Sequence, residues 1–392
     1  MLFDRLAKTA ILIGRKLGTN HSPSVAPKRE PGSAVPAAAA SEQPRGRRPT
    51  GGLLAHIGRT SVIDTAPPAG TYGVHREVGL LRLFFATDVH GSEVCWKKFI
   101  SAAKFYEANT LILGGDMTGK AIIPIIAQAG GKYKVTLLEQ ETMLDSRADA
   151  EQMAGTIRNR GYYPYITDPD EVAAISATPG RSDELFIQEA LTTVQRWMEY
   201  ADSKLAGTGI RCYVCPGNDD MFEIDAAISA SKSVHSVEGE VTQLDDHHEL
   251  ASSGWSNPTP WDTHREEPDE ELAQRLEAVL SKVQNMPNAV FNFHPPPFGS
   301  GLDEAPELTK DLRPAYAGRS LVPVGSKAVL KAIETHKPLL TLHGHIHEGK
   351  GTRKYGRTLC VNPGSMYEQG VLHGAWVDLK EKSVGNYVLT TG

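Results

Sequence analysis

Short apolar runs punctuate the chain, separated by turns and by helical periods. Residues 80–86 are apolar throughout except for Arg82, the pattern of a strand buried on both faces. Residues 110–113, 209–215, 289–293 and 339–342 read the same way. Residues 93–108 predict a helix capped by Ser92, and residues 326–335 predict another. Residues 358–361, 371–377 and 387–389 are expected as closing strands. Strands alternating with helices argue a layered α/β domain over residues 80–392.

Two stretches exceed a minimal α/β unit and are expected as inserts, at about 120–208 and 232–285. The first predicts a hairpin near 133–138, an irregular region at Tyr162-Tyr163-Pro164-Tyr165 and a helix over about 183–205. In the second, residues 238–271 hold eleven acidic side chains and one Arg. That segment reads as a solvated, partly irregular loop running into an acid-rich helix start near Pro268, where negative charge suits the helix dipole. A lid over a cationic site is the competing reading.

Residues 1–79 differ in character. Residues 20–50 carry six prolines and no aromatic, Leu or Ile, so they cannot bury enough apolar surface to offset their ordering entropy. The whole of 1–79 is expected as a basic, Pro/Ala-rich, largely disordered tail. Residues 2–17 also suit a short basic amphipathic helix, for a membrane surface or an organelle presequence. The charge follows the same division. The net of -6 conceals ten basic against three acidic side chains in residues 1–60, and an acidic remainder. An acidic folded part disfavours nucleic acid as a partner.

With 392 residues, 40% apolar and 22% charged, the composition excludes a collagen, a disulfide miniprotein and a fully disordered chain. No apolar run nears the roughly 20 residues of a membrane helix. Four cysteines are too few for a disulfide framework and point to a reducing compartment and a cytoplasmic location. Cys212 and Cys215 form a C-x-x-C, but residues three apart on a strand face opposite sides, so both are expected as small buried hydrophobes.

Each buried run ends in residues that bind metals. The ends are Asp88-Val89-His90-Gly91, Gly114-Gly115-Asp116, Pro216-Gly217-Asn218-Asp219, His294-Pro295-Pro296-Pro297 and His343-Gly344-His345-Ile346-His347. In α/β sheets the carboxyl ends of the strands line the ligand crevice, so five ends presenting Asp, Asn or His should converge. In extended chain, residues i and i+2 point the same way, so Asp88 with His90, and His345 with His347, could each grip one ion. Mixed carboxylate, amide and imidazole donors suit Mn, Fe or Zn, and Asp116 is the candidate bridge. His247, His248, His264 and His373 lack such a context and are expected to be structural or surface residues.

These motifs, in this order, resemble those of the calcineurin-like metallophosphoesterases. The resemblance runs from about residue 80 to the C-terminus, and Val361-Asn362-Pro363-Gly364-Ser365 extends it. It suggests a bacterial or archaeal phosphoesterase branch. It implies a four-layer α/β/β/α sandwich and two divalent or trivalent metal ions, with Mn favoured over Fe or Zn. One ion would be held by Asp88, His90, Asp116 and His347, the other by Asp116, Asn218, His294 and His345. It further implies hydrolysis of a small-molecule phosphate ester, a phosphodiester rather than a monoester, by a metal-bridging hydroxide.

One departure stands at the third motif, where many members read Gly-Asn-His and that His is thought to protonate the leaving group. Here the position is Asp219, a carboxylate expected to stay ionised near cations and so to be a poor acid. Asn218 and Lys120 are candidate substrate contacts. Two rival readings exist. Gly114 to Ala121 fits a nucleotide-binding G-x-x-x-x-G-K, but Ala121 replaces the Ser or Thr that such a loop needs. A catalytically weak or inactive interaction module on the same fold is the other.

Overall fold

The computed structural model of the protein describes residues 80–392; the expectations for residues 1–79 lie outside the described residues. Strands and helices are numbered along the chain within 80–392. The first sheet contains β1 (Leu81–Ala86), β2 (Thr110–Leu113), β7 (Arg211–Val214), β8 (Val234–Ser236), β17 (His373–Lys380) and β18 (Ser383–Thr391), in the order β18-β17-β1-β2-β7-β8. Strands β1, β2, β7 and β8 run parallel, with β17 and β18 added antiparallel. The second sheet contains β9 (Val241–Gln243), β10 (Glu249–Ser253), β11 (Val290–Phe293), β14 (Leu340–Leu342), β15 (Gly351–Tyr355) and β16 (Thr358–Asn362), in the order β15-β16-β14-β11-β10-β9. Its four central strands are parallel.

Side-chain alternation along each strand builds the layers. Leu83 and Phe85 face inward between the sheets with Ile112, Tyr213, Leu250, Val290, Leu340 and Val361. Phe84, Leu111 and Val214 face outward against helices α1 (Glu93–Phe105) and α4 (Arg181–Leu205), where Trp96 and Trp197 stack with centroids 5.1 Å apart. On the far side, Ala251, Phe291, Phe293 and Cys360 pack against α6 (Asp269–Leu280) and α7 (Lys327–His336). The result is α/β/β/α, as expected. Ser92 and Ser326 cap their helices through their hydroxyl groups, each accepting from the N–H three residues on.

Cys212 lies in the outer cluster and Cys215 in the inter-sheet cluster. All four cysteines are free and buried. No helix among the described residues is long and apolar enough to cross a membrane.

A third, four-stranded sheet follows the second motif, built from β3 (Ile122–Ala127), β4 (Tyr133–Leu137), β5 (Gln140–Leu144) and β6 (Tyr163–Thr167) in the order β5-β4-β3-β6. Helix α2 (Arg147–Asn159) covers it, and α3 (Pro169–Ala177) leads on to α4; neither α2 nor α3 was among the expected elements. The expected hairpin is β4–β5. The expected irregular region at Tyr162-Tyr163-Pro164-Tyr165 is instead strand β6, paired parallel with β3. It is an edge strand, where the missing N–H of Pro164 breaks no second ladder. A strand also follows Lys120 directly, so no helix opens there to cradle phosphates.

The acidic 238–271 segment is irregular over 254–268 and runs into α6, as expected, but it is not all loop. It supplies β9 and β10, the latter buried at every position. Glu249 accepts from the N–H groups of Gln284 and Asn285, and Glu267 pairs with Arg275. Part of its charge is thus held in hydrogen bonds and ion pairs, while Glu240, Asp246, Asp262, Glu270 and Glu271 stay exposed, and in β10 sheet pairing overrides a polar local composition. The last piece, β12 (Glu304–Pro306) with β13 (Leu321–Pro323) and the short α5 (Ile224–Ser229), completes the elements placed around the strand ends. The helix start expected near Pro268 is that of α6.

Candidate metal centre

Strands β1, β2 and β7 of one sheet and β11 and β14 of the other end at the same side of the sandwich. Backbone hydrogen bonds tie their loops together: Asp88 N–H to the Gly115 carbonyl at 2.9 Å, His90 N–H to Asp116 at 2.9 Å, and Gly344 N–H to His294 at 2.9 Å. Four of the candidate ligands depart from extended backbone. Asp88, His90, Asp116 and His345 have φ of 52°, 38°, 50° and 67°. Left-handed conformations in non-glycine residues cost about 1–3 kcal/mol each and concentrate at functional sites. The expected extended-chain sharing by Asp-x-His and His-x-His therefore fails as a reason. Asp88 and His90 do come together, but through a left-handed turn, while His345 and His347 part into different groups.

Those groups are specific. Asp88, His90 and His347 bring ligand atoms within 4.8 Å of one another, as do Asp116, His294 and His345, and as do His90, Asp116 and Asp219. Between groups, Asp116 Oδ2 lies 3.6 Å from His90 Nε2 and its Oδ1 lies 3.4 Å from His294 Nε2. The His90 and His347 Nε2 atoms face each other at 3.0 Å, and His347 Nε2 is 3.3 Å from Asp88 Oδ1. Asn218 Oδ1 is 2.8 Å from His345 Nδ1, because its amide nitrogen donates to Thr263 Oγ1 at 2.7 Å. The atom Asn218 presents to the centre is thus its oxygen.

Divalent metal ions fit this donor set. His294 Nε2 and His90 Nδ1 are buried without a hydrogen-bond partner, a costly state for an isolated polar atom. His294 Nδ1 lies 3.0 Å from the Gly114 carbonyl, which fixes the ring with Nε2 toward Asp116. Burial opposes charge on His294, yet Asp116 and Asp88 outweigh it and raise its pKa to about 9. Burial and the nearby Lys120 ammonium push His90 down to about 3. Burial and His294 push His345 down to about 4. Burial works against ionising Asp88 and Asp116 as well, but the adjoining imidazoles hold both low. The carboxylates thus stay charged in a dry pocket that calls for positive charge.

Lys120 and Asp219 form an ion pair at 2.9 Å on the same rim. Burial would raise the Asp219 carboxyl, but Lys120 prevails and keeps it below its ordinary value. Asp219 Oδ2 is 3.9 Å from His90 Nδ1, and its backbone N–H donates to Asp116 Oδ1 at 3.0 Å.

Several supporting residues, most of them inside the quoted motifs, had no role assigned from the sequence. Asp220 accepts from the N–H groups of Gly217, Met117 and Thr118 and from the Thr118 hydroxyl, clamping the second and third motifs together. The Asn362 amide donates to the Gly344 and Ile346 carbonyls and shapes the histidine turn. Ser365 donates to the Asp88 carbonyl. His343 lies between the Phe293 carbonyl and the Thr341 hydroxyl, both at 2.8 Å, and serves packing rather than the centre. Ser256 Oγ lies 3.3 Å from His345 Nε2, so the end of the acidic segment borders the centre. The only available signal for Asp220, Asn362 and Ser365 was their place inside the motifs.

Gly344 shows how tightly the loops meet. A Cβ there would stand 2.1 Å from Thr87 Oγ1 and 2.3 Å from Asp88 Oδ2. Gly344→Ala is expected to cost about 2–3 kcal/mol, in the range for overpacking. Denaturant unfolding would read that loss, and an unchanged midpoint would contradict the placement of Asp88.

No family model matches the sequence. Over 150 residues the chain is 30% identical to an uncharacterized protein, MJ1162, of Methanocaldococcus jannaschii, a match spanning 38% of this chain and 61% of that protein. The chain therefore covers less than two thirds of that relative's length. Similar solved structures include TT1561 of Thermus thermophilus, at 16% identity and TM-score 0.39, covering 80% of this chain and 98% of that one. A novel archaeal phosphodiesterase, at 10% identity and TM-score 0.26, covers 79% and 100% respectively. The phosphoesterase Yfce of E. coli, also at 10% and 0.26, covers 79% and 98%. The chain is an α/β/β/α sandwich, and the ordered motifs at its convergent strand ends resemble those of the calcineurin-like metallophosphoesterases.

Proposed function

We propose that the protein is a metal-dependent phosphoesterase acting on a small phosphodiester. The observation that carries this reading is the pair of ligand groups, Asp88/His90/His347 and Asp116/His294/His345, brought together with Asp116 beside His90. Asp88, His90, Asp116 and His347 would hold one ion, and Asp116, Asn218, His294 and His345 a second, with Mn, Fe or Zn suited to these donors. Bound there, such ions supply Lewis acidity and an activated water.

The chain's own residues do the rest. Gly114 and Asn218 hold His294 and His345 in orientation. Lys120 keeps its ammonium charge, because Asp219 outweighs burial, and its pairing with Asp219 beside the ligand cluster supports it as a counter-charge for a phosphoryl oxygen. Asp219, held ionised beside Lys120, is a poor proton donor, so the ester carries a good leaving group, supplies its own proton, or takes one from another acid. The diester preference rests on Asp219, which stands at the motif position where many family members carry a proton-donating His. The alternative, an interaction module without turnover, leaves buried unpartnered imidazole nitrogens without a purpose.

The test is hydrolysis of bis(4-nitrophenyl) phosphate and 4-nitrophenyl phosphate by metal-stripped protein resupplied with Mn²⁺, Fe²⁺ or Zn²⁺. Faster turnover of the diester is expected. The reverse order would remove the diester preference, and no turnover of any ester with any metal would remove the enzyme.

A further inference from the structure

Residues 256–267, near the end of the acidic segment, lie against the third motif and reach two of the candidate ligands. The Arg265 N–H donates to the Asn218 carbonyl at 3.1 Å, and the Ser256 N–H to the Arg265 carbonyl at 2.9 Å. The buried Ser256 hydroxyl engages His345 at Nε2, and Nδ1 of that ring faces Asn218 Oδ1 at 2.8 Å. Asn218 and His345 thus turn an oxygen and a nitrogen to one point.

What keeps the Asn218 oxygen there is the direction of the hydrogen bonds behind it. An amide turned over by half a revolution keeps its shape but exchanges an acceptor for a donor. A donor facing the ligand cluster would repel a cation. Asn218 Nδ2 lies 2.7 Å from Thr263 Oγ1, and a hydroxyl both donates and accepts, so Thr263 alone would suit either orientation. Glu266 removes that choice. Its Oε1 accepts the single Thr263 hydroxyl proton. The Thr263 oxygen then has only lone pairs to offer Asn218, and these select the amide nitrogen. Asn218 Nδ2 is also 3.5 Å from Glu266 Oε1, which favours an N–H group on that side again. The carboxylate is itself fixed as an acceptor: the Thr259 N–H and hydroxyl each donate to it at 2.7 Å, and the Thr263 N–H at 3.1 Å.

We infer that Glu266 is a positioning residue for the second ion: acting through the Thr263 hydroxyl, it holds the Asn218 amide with its oxygen toward the place shared with Asp116, His294 and His345. The inference rests on the metal-binding reading above and gives the acidic segment a part in it, as the buttress of one ligand. Outer partners that orient a ligand change metal affinity by about 10–100-fold when removed.

The test is calorimetric titration of Mn²⁺ into chelator-stripped, full-length protein. Thr263→Val keeps the shape and removes the hydroxyl, and it is expected to weaken Mn²⁺ binding about tenfold. Thr263→Ser keeps the hydroxyl and should bind as the unsubstituted protein does. Glu266→Ala should show a loss comparable to that of Thr263→Val, and the double variant no more than either alone, because both break one relay. Should Glu266→Ala fail to fold, the two Thr263 variants decide the matter. Unchanged Mn²⁺ affinity in Thr263→Val, an equal loss in Thr263→Ser, or losses that add in the double variant would each overturn the relay and leave the metal centre standing. Unsubstituted protein that binds none of Mn²⁺, Fe²⁺ or Zn²⁺ would overturn the metal reading, and the relay with it.

Discussion

Asp116→Asn is expected to lower diester turnover by about 10³-fold while the protein still folds. Asp116 is 4% exposed and takes part in two of the three ligand groups. One oxygen faces His90 and the other faces His294. Asparagine keeps the shape, and its side-chain oxygen can still accept the Asp219 N–H. The charge is gone, however, and an amide N–H would point at a ring nitrogen where a cation is meant to sit. A loss of about 4 kcal/mol of charge stabilisation corresponds to that factor. His294→Ala should cost about 10²-fold, since it removes one donor and leaves the carboxylates. Steady-state kinetics with saturating Mn²⁺ would read both. Near wild-type turnover in both variants would eliminate the assignment of these residues.

Metal removal should be visible in stability as well as in activity. Asp88 and Asp116 are buried carboxylates, and Asp219 lies beside them. Without cations, imidazoles and one lysine are their counter-charges. Binding to the folded state alone stabilises it by about 2.7 kcal/mol at a hundred times Kd. For a domain of this size that is about 4 °C in melting midpoint. Stripping with a chelator and restoring Mn²⁺ should move the midpoint by that amount, and Asp116→Asn should largely abolish the shift. A midpoint indifferent to every divalent ion would falsify the metal centre independently of any substrate.

Much of this molecule was legible before its structure. The runs at β1, β2, β7, β11 and β14 are continuous and apolar because the strands are buried on both faces, so periodicity and turn residues located them within a residue or two. The caps Ser92 and Ser326 are local chemistry and were equally readable. Strand β6 was not, because Pro164 speaks against a strand locally and only the neighbour β3 makes it one. Nor was β10, whose Glu249 and serines look like loop until β11 pairs with them. Helix α3 carries a weak apolar period and takes its place by packing on α4, whereas α2 has a period as strong as that of α1 and a capping Ser146, so its signal was local.

For the candidate site, the sequence by itself determined the ligand types, their order and their position after buried strands. Those follow from short-range rules: a strand stops, a glycine turns, and a polar side chain is left at the end. Tertiary structure alone decided the partnerships. It separated His345 from His347, set Asp116 between His90 and His294, and turned the Asn218 oxygen inward through Thr263. It also imposed positive φ on four of the ligands, which no local pattern signals. The physical reason is that these arrangements depend on contacts between residues from about 26 to more than a hundred positions apart in the chain, whereas periodicity and spacing report only on neighbours.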